Sequence, residues 1–239
     1  MTKYISVTWT EGISEQETNV LTHTVDSVLK WLYLRRPSVL HHPPIMVHLF
    51  GNWVIPELVS TDVYWGTQWY IDTSYNDALQ RVIGPVFLDL TRQEPWQQLD
   101  PHFDMALITQ DLTDLTVRVA ELQPDHYALG TSVPGSTAVM SVHRIRSLAD
   151  EHVRELALSR LVRHHLGHVL GLPRPTRDHK TTRMGLETHC TNRCVMRHTD
   201  TVEELAKLAL EESEMGWHFC EQCTRELHSV VARYAFNWS

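Results

Sequence analysis

Residues Leu161 to Cys194 read LVRHHLGHVLGLPRPTRDHKTTRMGLETHCTNRC, and the fold and chemistry of the chain turn on this stretch. It opens as a helix in which His164 and His168, four positions apart, share one face. Gly171 and Pro173 then stop the helix, and a polar, Arg-rich loop leads to a His-Cys pair, His189 and Cys190. Two histidines at this spacing, a Gly-terminated helix and a further histidine arriving from a loop meet the requirements of a zinc site on a hydrolase helix. The chain holds 16 histidines, so the pair is informative through its context and not by itself.

Ser147 or Asp150 is placed to cap this helix, whose apolar stripe is Leu158, Val162, Leu166 and Val169. At about 100° per residue, His164 and His168 fall roughly opposite that stripe. The helix is therefore expected to bury one side in the core and turn its histidines toward a cleft or another part of the chain. All four cysteines lie further on, as Cys190 and Cys194 and the C-x-x-C pair Cys220 and Cys223. Two close pairs of thiolates suit a closed structural zinc site with no position open for water.

Toward the N-terminus, Tyr4–Trp9 reads as a strand. Ser14 and Glu17 form a capping box for a helix whose stripe is Leu21, Val25, Val28, Leu29 and Leu32. Ile45–Phe50 reads as a strand ended by Gly51, and residues 54–71 show little periodicity. A short helix is expected over Asn76–Ile83, a strand over PVFLDL (85–90), and another over Phe103–Thr109. GTSVPGST (130–137) reads as a loop leading into a last strand, Ala138–Ile145, before the histidine helix. Beyond the first cysteine pair, Thr201–Glu212 reads as a helix. Alternating strands and helices imply a mixed α/β layer architecture, a mixed sheet with covering helices.

The 239 residues are 42% hydrophobic, enough for an extensive core, and the net charge of −8 argues against a duplex-binding role. No segment approaches the length of a membrane span and the N-terminus lacks an apolar leader, so a soluble, cytoplasmic protein without nucleic-acid or membrane partners is expected. A close cysteine cluster in such a chain points to metal and not to disulfides.

The order His164, His168, Gly171, His189-Cys190, Cys194, Met196 and Cys220-x-x-Cys223 resembles the archaemetzincin-type zinc metalloproteases, a branch of the metzincin clan of zincins. Their pattern runs HExxHxxGxxHC, a second Cys, a Met two residues on, and a closing CxxC. The resemblance implies a catalytic zinc on three histidines, a Glu base after the first, a Met turn beneath the metal at Met196, and a structural zinc on the four cysteines. It further implies that the strand before the helix, here AVMSVHRI, forms the cleft edge that holds a peptide or protein substrate. The chain departs from the pattern twice. His165 stands at the place of the general base, and Arg174 at the place of the third histidine. After an insertion the landmarks resume, so His189 is the third ligand on this reading, with Glu187 and His179 as alternatives. The expected organisation is one zincin-like domain over 1–239, with residues 1–172 ending in the metal helix and 173–239 carrying the Met turn and the four-Cys site. The expected function is zinc-dependent peptide-bond hydrolysis, weakened or lost through His165. The alternatives are an inactive relative that binds peptides, and a non-enzymatic module built on the structural zinc.

Overall fold

The computed structural model describes residues 3–34, 45–51, 67–182, 187–216 and 218–235. The chain begins with β1 (Lys3–Trp9), α1 (Glu15–Leu34) and β2 (Ile45–Gly51). The capping box starts α1: Glu17 N donates to Ser14 Oγ at 3.2 Å and Ser14 N to the Glu17 carboxylate at 2.8 Å. Its whole predicted stripe is buried.

Next come α2 (Thr67–Ser74), β3 (Tyr75–Asn76), β4 (Arg81–Ile83), α3 (Gly84–Gln93) and α4 (Pro95–Leu99). Two sequence expectations fail here. Asn76–Ile83 is a tight β3–β4 hairpin and not a helix. Asn76 Oδ1 accepts from Leu79 N at 3.1 Å, and Gln80 sits at φ 51°, a left-handed turn that a helix cannot contain. The expected strand PVFLDL is instead the first part of α3, with Pro in its first turn and Gly84, Phe87, Leu88 and Thr91 buried. That i, i+3, i+4, i+7 rhythm emerges only over a window longer than the six-residue apolar run. The weakly periodic stretch 54–71 falls mostly outside the described residues; its end enters α2.

Then follow β5 (Phe103–Ile108), β6 (Leu112–Thr113), α5 (Val117–Leu122), β7 (Gly130–Val133) and β8 (Thr137–Ser141). The main sheet has the order β2-β1-β5-β8-β7, with β7 alone antiparallel, on the edge. This corrects the reading of 130–145. The apparent loop GTSVPGST holds the edge strand, while AVMSVHRI supplies the strand inside it and then leaves the sheet. Pro134 and Gly135 (φ 77°) make the turn, closed by Ser136 N to Val133 O at 3.0 Å. Strand alternation divides the core. Ile5, Val7, Met105, Leu107, Ala138 and Met140 join one cluster with the stripe of α1, whereas Ala106, Ile108 and Val139 pack with Tyr70, Phe87 and Leu88.

The chain ends with α6 (Glu151–Val169), β9 (Lys180–Thr182), β10 (Thr188–Cys190), α7 (Val202–Met215) and α8 (Glu221–Ala235). Asp150 caps α6 by accepting from Val153 N at 2.9 Å, a contact typically worth about 1 kcal/mol. Helix α6 packs between α1 and α7, and the same core cluster continues into Val202, Leu205, Leu227 and Val231 of the last two helices. No helix among the described residues is long and apolar enough to cross a membrane.

One buried charge network lies at the N-terminal end of β5. The His102 ring stacks on Tyr4, and its Nδ1 lies 2.7 Å from Asp100 O. Nε2 is 3.1 Å from Asp104 and 3.4 Å from Glu94. Gln97 and the Tyr70 hydroxyl hold the outer oxygens of these two carboxylates. Burial alone would lower the His102 pKa, but its hydrogen bonds to Asp104 and Glu94 push it up to about 10. The imidazolium thus supplies the counter-charge for the pair. Because the folded value lies above the unfolded value near 6.5, this stabilisation is complete below about pH 6.5 and is lost as pH rises through about 10. Urea midpoints taken from pH 6 to 10 should therefore fall more steeply for the wild type than for His102→Gln, and parallel curves would refute the charged histidine.

Candidate metal centre and cleft

The C-terminal end of α6 places the first two ligand candidates. Gly171 (φ 85°) closes the helix in a Schellman arrangement, with Leu172 N bonded to Gly167 O at 2.8 Å and Gly171 N to His168 O at 2.7 Å. This turns the Leu172 carbonyl back onto the helix, 2.8 Å from His168 Nδ1. Four residues earlier, His164 Nδ1 lies 2.8 Å from the carbonyl of Val195. A carbonyl can only accept, so each ring carries its proton on Nδ1 and presents a bare Nε2. These two Nε2 atoms face one another at 3.1 Å. Two lone pairs so placed repel unless a cation lies between them, and zinc ligands about 2.0–2.1 Å from the ion stand about 3.3 Å apart. Both rings are kept neutral. Burial brings His168 down to about 4 and holds His164 well below its usual value.

His189 comes from β10, which pairs with β9. Its Nε2 is 3.3 Å from Glu187 Oε2, which in turn is 3.8 Å from His168 Nε2. One ligand atom from each of His164, His168, Glu187 and His189 lies within 4.8 Å of every other. Successive strand residues point to opposite faces, so His189 enters this cluster while Cys190 enters the other one. There, the Sγ atoms of Cys190, Cys194, Cys220 and Cys223 also lie within 4.8 Å of one another. Cys190 and Cys220 are 3.8 Å apart, far beyond a disulfide and equal to the separation of about 3.8 Å that tetrahedral Zn–S bonds of about 2.3 Å produce. Both donor sets fit zinc.

The turn between these clusters holds Met196, closed by Arg197 N to Cys194 O at 2.9 Å. Met196 is fully buried, and its sulfur rests on Gly167, where a Cβ would come within 2.2 Å of it. Gly167 is thus the position on α6 that lets this turn pass directly beneath the histidines. His165 lies on the other flank, against edge strand β7: a Cβ on Gly130 would meet its Nε2 at 2.3 Å. Burial brings His165 down to about 3, so its ring is neutral near pH 7, with one N–H and one bare nitrogen.

The remaining expected residues lie elsewhere. His179 is exposed, at φ 54°, outside both clusters. Arg174 docks on α8 through Glu226 and Ser229 and leaves the cleft clear. Sequence reasoning missed three participants. Arg177 is buried and donates to Cys190 Sγ at 3.0 Å and Cys223 Sγ at 3.1 Å. Four thiolates with one Zn²⁺ keep two negative charges, so a buried cation belongs there, and that charge balance was the available signal. His198, with Asp200 at 3.2 Å from its Nε2, places its Nδ1 3.3 Å from His189 Nε2. Ser132 of β7 donates to Glu187 through both its backbone N–H and its hydroxyl. His164, His165, Glu187, His198 and Asp200 all line a cavity of about 200 Å³.

The chain is 26% identical over 133 residues to the Archaemetzincin of Archaeoglobus fulgidus, a match covering 53% of this chain and 69% of that protein. The chain is similar to an archaemetzincin. The crystal structure of Archaemetzincin from Methanopyrus kandleri shares its fold, with a TM-score of 0.60 and 17% identity over 97% of this chain and 96% of that one. No family model matches. The archaemetzincin relationship and the two donor sets together support zinc as the metal and a zinc metallopeptidase-like family.

Proposed function

We propose that the chain is a zinc metallopeptidase-like protein of the metzincin clan. On this reading one zinc sits on His164, His168 and His189 in the cleft, and a second on Cys190, Cys194, Cys220 and Cys223. The observation that carries it is the pair of Nδ1 contacts to the Val195 and Leu172 carbonyls, which direct two Nε2 lone pairs to one point beside His189. A zinc held there would polarise a peptide carbonyl and activate water. The chain's own part is to orient the substrate. Strand β7 is one edge of the main sheet, and its open side, where the Ser132 N–H now meets Glu187, can receive an extended peptide or protein segment by strand addition. Met196, packed under Gly167, serves as the Met turn that supports the ligand helix without ligating.

His165 occupies the place of the general base, and its geometry supports weak hydrolysis. Its ring is wedged against Gly130, and its lowered pKa opposes the imidazolium that would carry a proton from water to a leaving amine. The same observation favours the second reading, an inactive relative that holds peptides in the cleft. The net charge of −8 and the unpaired cysteines suit a cytoplasmic protein without nucleic-acid partners.

The test is zinc counting combined with cleavage of a peptide library, with a chelator control and the His164→Ala variant alongside. Two zinc ions per chain, falling to one in His164→Ala, with slow chelator-sensitive turnover, is the expected result. Peptide binding without turnover would establish the second reading. A single zinc unaffected by His164→Ala but lost with the cysteines would overturn the cleft site and leave a structural-zinc module.

A further inference from the structure

We infer that Glu187 is a fourth ligand of the cleft metal, anchored by edge strand β7, so that the chain itself closes the site at rest. The inference rests on the three-histidine reading above and adds to it a residue from the inserted loop.

Distance separates the two roles open to a carboxylate beside a metal. A general base acts on water and stands about 2.6–3.2 Å beyond it, which places its oxygen about 4 Å or more from the ion. A ligand oxygen instead stands about 3.3 Å from the other ligand atoms. Glu187 Oε2 is 3.3 Å from His189 Nε2 and 3.8 Å from His168 Nε2, which is ligand-to-ligand spacing. Glu187 therefore does not replace the base missing at His165. It takes the place that water or a substrate carbonyl would need.

The second oxygen fixes this choice. Oε1 accepts from both the backbone N–H and the hydroxyl of Ser132. Ser132 is paired in register with Ala138 of β8, yet its N–H is given to Glu187 on the open side of the strand. That donor is one an added peptide strand would use. One carboxylate thus covers both halves of the cleft, with one oxygen among the metal-binding nitrogens and the other on the sheet edge. A peptide entering the cleft has to displace both contacts, and its own carbonyl groups are the chemistry that can do so.

The experiment uses the full-length chain with zinc left in the four-thiol site and Co²⁺ placed in the cleft, where its visible bands report coordination. Azide, an anion small beside the cavity of about 200 Å³, probes for an open position. In the wild type the bands should not respond to azide. In Glu187→Ala they should shift on azide addition, and Co²⁺ should pass to a competing chelator about 10–100-fold faster. Glu187→Gln keeps the side-chain volume and removes the charge, so it gives the same readout if the alanine variant does not fold. Ser132→Ala removes one of the two anchors and should lie between. A wild-type spectrum that responds to azide as strongly as Glu187→Ala would overturn the inference while leaving the three-histidine site intact. Loss of metal no faster in the Glu187 variants than in the wild type would overturn it equally. Cobalt bands insensitive to His164→Ala would overturn both the inference and the cleft site beneath it.

Discussion

Replacing Cys220 with serine should remove one zinc per chain and unfold the region from β10 onward, the largest loss of stability expected from any single exchange. Cys220 stands at the entrance to α8, 3.8 Å from Cys190 Sγ, and its backbone N–H donates to Cys194 Sγ at 3.3 Å. The cluster therefore ties the start of α8 to β10 and to the turn that carries Met196. Around it, Val195 N bonds to His218 O and Trp31 of α1 stacks on Phe219, while α7 keeps its packing on α6. Structural zinc contributes on the order of 10 kcal/mol to the folding of isolated finger peptides, which sets the ceiling for the loss here. Arg177 adds to it, because a buried guanidinium that loses its thiolate partners keeps its desolvation cost. Hydrogen exchange across Val202–Met215 and Glu221–Ala235, read beside metal content, measures the effect. A Cys220→Ser variant with unchanged zinc and melting temperature would show that the thiols cluster without binding metal.

The second large effect is a gain. Glu187→Ala should expose the metal, and adding His165→Glu on that background should raise peptide hydrolysis by about 10²–10⁴-fold, the usual worth of a positioned base. The side chain at 165 follows a ligand histidine on the same helix turn, and glutamate is slimmer than the imidazole now wedged against Gly130. His165→Glu alone should gain far less, since Glu187 would still cover the metal. The measurement is chelator-sensitive library cleavage by the wild type, each single variant and the double variant, at matched metal content. Equal rates for Glu187→Ala and the double variant would mean that a carboxylate at 165 cannot reach the reacting water.

Much of this arrangement is legible in the chain because it is local. The Ser14–Glu17 capping box, the stripe of α1, the Gly171 stop and the spacing of His164 and His168 each depend on residues a turn or two apart. The failures come where a short run fits two periods. PVFLDL is apolar enough for a strand, and only Thr91, beyond the run, shows the helical rhythm. GTSV hid its strand behind a Pro-Gly turn, although that turn is what a hairpin needs. In the site, His189 and the cysteines stand in a recognisable order. Ser132 and His198 carry no such mark, because their roles arise from tertiary approach across dozens of residues. Arg177 could have been sought from charge balance, since thiolates around a divalent ion need a cation nearby.

His189 and Cys190 are neighbours on one short strand, and Val195, whose carbonyl holds His164, lies between Cys194 and Met196. On the two-zinc reading, occupancy of either donor set would therefore order the backbone of the other. Such linkage is symmetric: whatever factor one ion adds to its neighbour's affinity, the neighbour returns in full. Thiol oxidation at the C-terminal end would then reach the histidines as a drop in metal affinity, with no oxidant entering the cleft. On the two-zinc reading the centres would be coupled through one short strand and one turn, and the redox state of the four clustered sulfurs would become an input to the chemistry at three imidazoles.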